Sequence, residues 1–321
     1  MAPATHCVLL TAALLAGTAS SHAAITFNFT YQDVILDNNR GFDDPTFGAS
    51  RRATVEAVGT YLNTVFEANG DADIHWVESM VGAGVSILGQ MGSYYPQVNL
   101  DSTPPYPPGF HSSALYRHAI DGFDLTGSDL PDSIGVINFS HTWNSELDAP
   151  TGIEYDLFSV VLHETIHGFG FASLITSNGG YVSSDLTGIR SIYDSHLYGP
   201  SGRLLDNNGV FVGNVSDLTS GELTFRGPEA MAANGGEPVP IYSPAAFQSG
   251  SSISHTDRLP LSVMNPSISV GEVRRTLTGI EIGMIADLAQ AAVPEPRDIA
   301  IVFGAGLLVF ASCRRQAAPL P

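Results

Sequence analysis

The stretch VVLHETIHGFGFASL, residues 160–174, constrains this chain more than any other. His163 and His167 are four residues apart, a spacing that brings two imidazoles together when the backbone between them is helical. Both rings then project from one face, one turn apart, and can share a tetrahedral zinc ion. The flanking Val160, Val161, Leu162 and Ile166 are apolar, so the rest of that helix must be buried. Asp156 is suited to open it, and the pattern fades near Gly170. Glu164 sits beside the first histidine, close to such an ion without having to bind it. That position suits a general base taking a proton from water.

The remaining chain supplies partners for a buried helix. Ile25, Phe27, Phe29 and Tyr31 alternate as on a half-buried strand. Ser50 is a candidate cap for a helix reaching about Phe66, with Val55, Val58, Leu62, Val65 and Phe66 on one stripe. Residues 71–81 read as a second strand, 88–112 as a Gly/Pro/Ser/Tyr-rich loop, and SALYRHAI as a short helix. A further strand centres on Ile134, Val136 and Ile137. From 175 to 252 the chain is weakly periodic, with no evident internal repeat. A last helix runs from about Thr278 to Gln290, opened by a Thr278/Glu281 capping box. The predicted class is α+β, a mixed sheet backed by two long helices. A division near residue 172 into subdomains of about 24–172 and 173–292, with a cleft between them, is equally compatible.

A catalytic zinc usually takes three protein ligands and keeps one position open. His75, His111, His118 and His141 precede the motif and read as surface or core histidines. His196 and His255 are the candidates for the third ligand, with Asp194 and Asp257 as carboxylate alternatives; Asp257 better suits stabilisation of a turn. Nine residues after His255, Met264 lies in the turn-forming stretch SVMNP.

In the compact metzincin motif, HExxHxxGxxH, a glycine lets the chain turn and a third histidine follows. Gly170 matches, and Ser173 stands where that histidine would be. HETIHGFGF, a long insertion, ISHTD and then VMNP together resemble the leishmanolysin-type branch of the metzincin peptidases, which takes its third histidine from far downstream. The resemblance implies a metzincin-like zincin fold with an irregular C-terminal subdomain. It implies one catalytic Zn2+ on His163, His167 and His255, with Glu164 as the base, Gly170 as the motif turn and Met264 as the Met-turn residue. It also implies a protein or peptide substrate laid along an edge strand, a role IGVINFS (134–140) is suited to fill. One departure is plain: that family bears disulfides and is typically held latent by a cysteine. Here Cys7 and Cys313 lie at the two ends and the body between has none, so thiolate latency is impossible.

Residues 1–23 read as a secretory signal peptide with a Ser21-His22-Ala23 cleavage signature. At the other end, residues 293–321 carry Pro-Glu-Pro, an apolar run from Ile299 to Cys313, and Arg314-Arg315. This resembles a PEP-CTERM sorting signal and implies processing by an exosortase, membrane contact only through that segment, and a bacterial surface or extracellular location. The run is short for a spanning helix, which needs ~20 residues, although a plain membrane anchor gives the same location. The 13 basic residues are all arginine against 32 acids, a net charge of −19, which disfavours nucleic acid. The acidic loops leave Ca2+ open without supporting it. The expected activity is a secreted or cell-surface zinc endopeptidase. The alternative is an exported matrix or surface protein with a structural or inactive metal site. A serine hydrolase is set aside because Gly-x-Ser-x-Gly is absent.

Overall fold

The computed structural model describes residues 24–32, 39–68, 70–79, 84–96, 109–127 and 130–291, and the expected signal peptide and sorting segment lie outside them. The chain opens with β1 (Thr26–Gln32), α1 (Gly48–Leu62) and β2 (Asp71–Glu78), then β3 (Gly89–Ser93), β4 (Gly109–His111), α2 (Ala114–Ala119) and β5 (Ser133–Ile137). Two short strands, β6 (Trp143–Asn144) and β7 (Tyr155–Asp156), lead into the motif helix α3 (Leu157–Gly168). The main sheet has the order β1-β2-β5-β3; the first three strands are parallel and β3 is an antiparallel edge.

By register, Phe27, Phe29 and Tyr31 share one face of this sheet with Ala72, Ile74, Trp76, Gly135, Ile137, Met91 and Gly89. Helices α1 and α3 pack on that side. Two glycines leave room for rings on this face, Gly59 of α1 for Phe29 and Gly135 of β5 for its cross-strand neighbour Trp76. A Cβ on Gly59 would lie 3.1 Å from the Phe29 ring, and one on Gly135 only 2.5 Å from the Trp76 indole. On the other face β1 and the first half of β2 are polar, with cross-strand bonds from Asn28 to Asp73 (2.8 Å) and between Thr30 and His75 (2.7 Å), while Val77, Ile134 and Val136 continue it as an apolar stretch. One-sided burial is the cause of the period-two alternation in β1.

Three expectations need correction. Helix α1 starts at Gly48, not Ser50, and ends at Leu62. Asp44 Oδ1 accepts the N–H groups of Thr46 and Phe47 at 2.8 and 2.9 Å, which nucleates the turn earlier, and Ser50 instead bonds Ser145. The segment 88–112 contains two strands rather than only loop. The strand centred on 134–137 lies inside the sheet between β2 and β3, so it cannot be the edge. The edge is β3, whose Gly-rich sequence has little β propensity of its own and is recruited by tertiary packing.

The C-terminal half continues with β8 (Ile189–Ser191), α4 (Ile192–Ser195), β9 (Leu197–Gly199), β10 (Gly202–Arg203), β11 (Thr224–Phe225), α5 (Pro228–Ala233), β12 (Val239–Pro240) and α6 (Gly279–Asp287). It contains a repeat that the sequence reading missed. LITSNGGYV (174–182) and LLDNNGVFV (204–212) form the same tight hairpin, bridged at Ile175–Tyr181 and Leu205–Phe211. Arg190, fully buried, joins the two turns: its guanidinium donates to Gly179 O (2.9 Å) and Gly209 O (3.1 Å), as well as to Leu174 O and Gly180 O. Only a few positions of the pattern match, because only the turn glycines and the two facing residues are demanded by the geometry.

The architecture is α+β. One cluster of buried side chains runs from Leu62 and Ile74 through Val161 and Phe171 to Phe225, Met264 and Met284, so both halves share a core. No helix among the described residues is long and apolar enough to cross a membrane.

Candidate metal centre

Helix α3 is built as its sequence predicts. Asp156 is the N-cap and accepts from Ser159 N (3.1 Å) and Ser159 Oγ (2.5 Å); Arg275 Nε donates to the same carboxylate at 2.9 Å. Leu157, Val160, Val161, Leu162 and Ile166 are buried, which turns the half-buried His163 and His167 to the remaining face. The helix ends in a Schellman turn: Phe171 N donates to Ile166 O and Gly170 N to His167 O. Gly170 has φ +99°, a conformation that a side chain would strain. This turn carries Phe171 O back to His167, whose Nδ1–H donates to it at 2.7 Å.

At Ser173 the chain leaves on its long insertion, and the two ends of that insertion are clipped together. Ser173 N donates to Ser254 Oγ at 3.0 Å, while Ser173 Oγ donates to the buried Asp194 at 2.5 Å. The return path is fixed by pairing with the 240–242 segment, through Tyr242 N to His255 O (2.9 Å), Ile253 N to Tyr242 O (2.8 Å) and Asp257 N to Pro240 O (2.9 Å). Ile253 is buried at φ +62°, a region that costs a β-branched residue ~1–3 kcal/mol. Such strain persists only where the surroundings dictate it, and here it directly precedes the Ser254-His255 step.

The result is a convergence of three rings. Nε2 of His163 and His167 are 3.1 Å apart, and His255 Nε2 lies 3.2 Å from each. Each Nδ1 is bonded to a carbonyl at 2.7 Å: Val263 O for His163, Phe171 O for His167 and Ser251 O for His255. A carbonyl only accepts, so Nδ1 carries the proton and the Nε2 lone pair of a neutral ring is left free. Burial, reinforced for two of the rings by neighbouring imidazoles, favours that neutral state. It lowers His167 to about 4, His255 to about 3, and His163 well below its ordinary value. Three neutral acceptors facing one another repel unless a cation lies between them. Tetrahedral zinc with bonds of ~2.0–2.1 Å requires nitrogens about 3.3 Å apart, so spacing, donor type and tautomer all fit that ion.

Glu164 is buried on the same helix turn, and burial pushes its carboxyl up to about 8. It lies against the edge strand: a Cβ on Gly89 would come 2.8 Å from Glu164 Oε1. Neither Gly89 nor β3 was singled out from sequence; a Gly-x-x-Gly pair amid 88–112 was the available signal. Met264 is fully buried in the turn whose Val263 O accepts the hydrogen bond of His163 Nδ1–H, and its own carbonyl accepts from Thr256 N at 2.9 Å.

The other candidates lie elsewhere. His196 Nε2 is engaged with Asp287 O and Gln290 O, both at 3.1 Å, at the end of α6. Asp194 is consumed by Ser173, Leu174 N and Ser191 N, and Asp257 pairs with Arg258. Asp73, His118 and Asp132 form a second group with ligand-type atoms. There His118 Nδ1 is 2.9 Å from Asp132, a hydrogen bond that ties α2 to the sheet. Burial works against the charged imidazole, but the Asp132 carboxylate overrides it and holds His118 above its usual pKa.

Compared with known proteins, the chain matches no family model, no curated protein and no solved structure.

Proposed function

We propose that the chain is a zinc-dependent endopeptidase of metzincin-like fold, exported and sorted through its terminal segments. The observation that carries the reading is the set of three Nε2 atoms within 3.2 Å of one another, each with its proton committed to a backbone carbonyl. His163, His167 and His255 would hold the ion. When bound, zinc supplies Lewis acidity toward a carbonyl and a water.

The chain's own residues do the rest. Glu164, buried and one position from His163, would be held as the carboxylate by the charge of a bound cation, against the effect of burial; in that form it accepts a proton from the attacking water and returns it to the leaving amine. Strand β3 pairs with β5 on one side and has no strand partner on the other among the described residues. Its free backbone groups suit an extended peptide, held by main-chain bonds across the face of α3. Gly89 keeps the strand close to Glu164 without a clash.

Gly89→Ala tests that last contact. The new Cβ, 2.8 Å from Oε1 and 3.0 Å from Cγ, must displace the carboxylate. The expected outcome is at least about a tenfold fall in kcat with metal content unchanged, since a ~1 Å misplacement can cost far more. Steady-state kinetics beside metal analysis would measure both, and an unchanged kcat would show that Glu164 needs no such confinement.

The reading as a whole is tested on the full chain, by zinc content and cleavage of a peptide library before and after chelation and zinc return. One zinc per chain with cleavage lost on chelation and restored on return is expected. A protein that holds zinc but cuts nothing would instead be a matrix or surface protein with a structural metal site.

A further inference from the structure

We infer that Glu281, on the first turn of α6, is a positioning residue for the metal centre: it holds the 262–264 turn against two of the three histidines. The inference rests on the reading of His163, His167 and His255 as metal ligands. Glu281 is fully buried, unusual for the glutamate of a capping box, which normally faces solvent.

The two carboxylate oxygens have separate tasks. Oε2 accepts from Thr278 N (2.7 Å) and Thr278 Oγ1 (2.8 Å), and this is the capping box. Oε1 accepts from Met264 N and from Ser262 Oγ, both at 2.7 Å. Four acceptor sites are thus filled, which is about the capacity of a carboxylate. A cap needs only the first pair. The second pair has no role in starting the helix.

Two paths lead from Oε1 to the rings. Met264 N belongs to the peptide unit whose carbonyl is Val263 O, the partner of His163 Nδ1 at 2.7 Å. Anchoring that N–H orients the carbonyl that fixes the tautomer and angle of the His163 ring. The other path runs through Ser262 Oγ to Thr256 Oγ1 (2.7 Å), with Thr256 N also donating to Met264 O (2.9 Å). Thr256 directly follows His255. His167 is independent of this carboxylate, because its carbonyl partner Phe171 O comes from the Schellman turn of its own helix.

Variants can separate the two tasks. Glu281→Asp keeps the charge and a capping oxygen near the helix start but is one methylene too short to reach the turn. Glu281→Gln presents an amide N–H to donors on one side. Ser262→Ala cuts only the path to His255. Purified full chain, loaded with Co2+ or Zn2+, would be compared with wild type by chelator competition, by Co2+ d–d absorption, and by far-UV circular dichroism of the metal-free form.

The expected result is a 10- to 100-fold weaker metal affinity in Glu281→Asp and Glu281→Gln, the usual range for groups that orient ligands. A changed Co2+ spectrum should accompany it, with a smaller effect in Ser262→Ala. Because Ser262→Ala removes a single hydroxyl, it reports even if the Glu281 variants fail to fold. Folded variants with wild-type affinity and spectrum would overturn the positioning role alone. A wild-type protein that binds neither metal would remove the metal-centre reading and this inference with it.

Discussion

On the proposed peptidase reading, Glu164→Gln should retain zinc and lose peptide hydrolysis by a factor on the order of 10²–10⁴, the usual contribution of a positioned proton-transfer group. The amide fills the same space beside Gly89, so neither the edge strand nor the three rings need move. What it loses is the capacity to take a proton and give it back. Metal analysis and steady-state kinetics on one preparation would measure both quantities, and full activity in the variant would remove Glu164 from the mechanism. A second readout uses the metal-free protein. Burial raises the Glu164 carboxyl to about 8, above its ordinary 4.5. A group with a raised folded pKa contributes stability that is complete below the unfolded value and lost as pH rises through the folded one. Between pH 4.5 and 8, metal-free wild type should therefore lose stability relative to metal-free Glu164→Gln. Denaturant melts of the pair across that window isolate this carboxyl, because the histidine contributions are common to both proteins.

His255→Ala should cost the site more than any change to its surroundings. Removing an outer partner of a metal ligand lowers affinity by about 10- to 100-fold, and removing the ligand itself must exceed that. A loss beyond about 100-fold corresponds to more than ~2.7 kcal/mol of binding free energy. Any stabilisation of the folded chain by added zinc should fall accordingly, so the variant's Tm should drop far more in the presence of metal than in its absence. His196→Gln is the matched control. The imidazole of His196 is already committed to carbonyls at the end of α6, so this variant should bind zinc like wild type. Equal zinc affinity in His255→Ala and wild type would return the third ligand to the carboxylates.

Local signals explain why some of this was legible in sequence. Asp156 caps α3, Gly170 ends it at positive φ, and Thr278 with Glu281 caps α6, all within a few residues of the groups they serve. The apolar flanks of the motif predict a buried helix because amphipathic spacing is a property of one turn of backbone. By contrast, the 88–112 segment reads as loop because its glycines and serines carry no β preference. Strand β3 exists because β5 offers it hydrogen bonds and Glu164 leaves room only for a glycine. Similarly, the two NG hairpins look unrelated until Arg190 is seen bonding both turn carbonyls.

By itself, then, the sequence determined a buried helix with two histidines and a glutamate on it, and a chain turn where the compact pattern breaks off at Ser173. It also narrowed the residues able to join those two histidines to a few downstream candidates. Only the tertiary structure decided which of them returns. The Ser173–Ser254 clip and the pairing with 240–242 bring His255 to 3.2 Å from both other rings, while α6 takes His196 away. The physical reason is one of range. Helix spacing, caps and turns are short-range preferences written in adjacent residues. The meeting of residues eighty-eight positions apart depends on which distant hydrogen bonds and buried contacts close the loop between them.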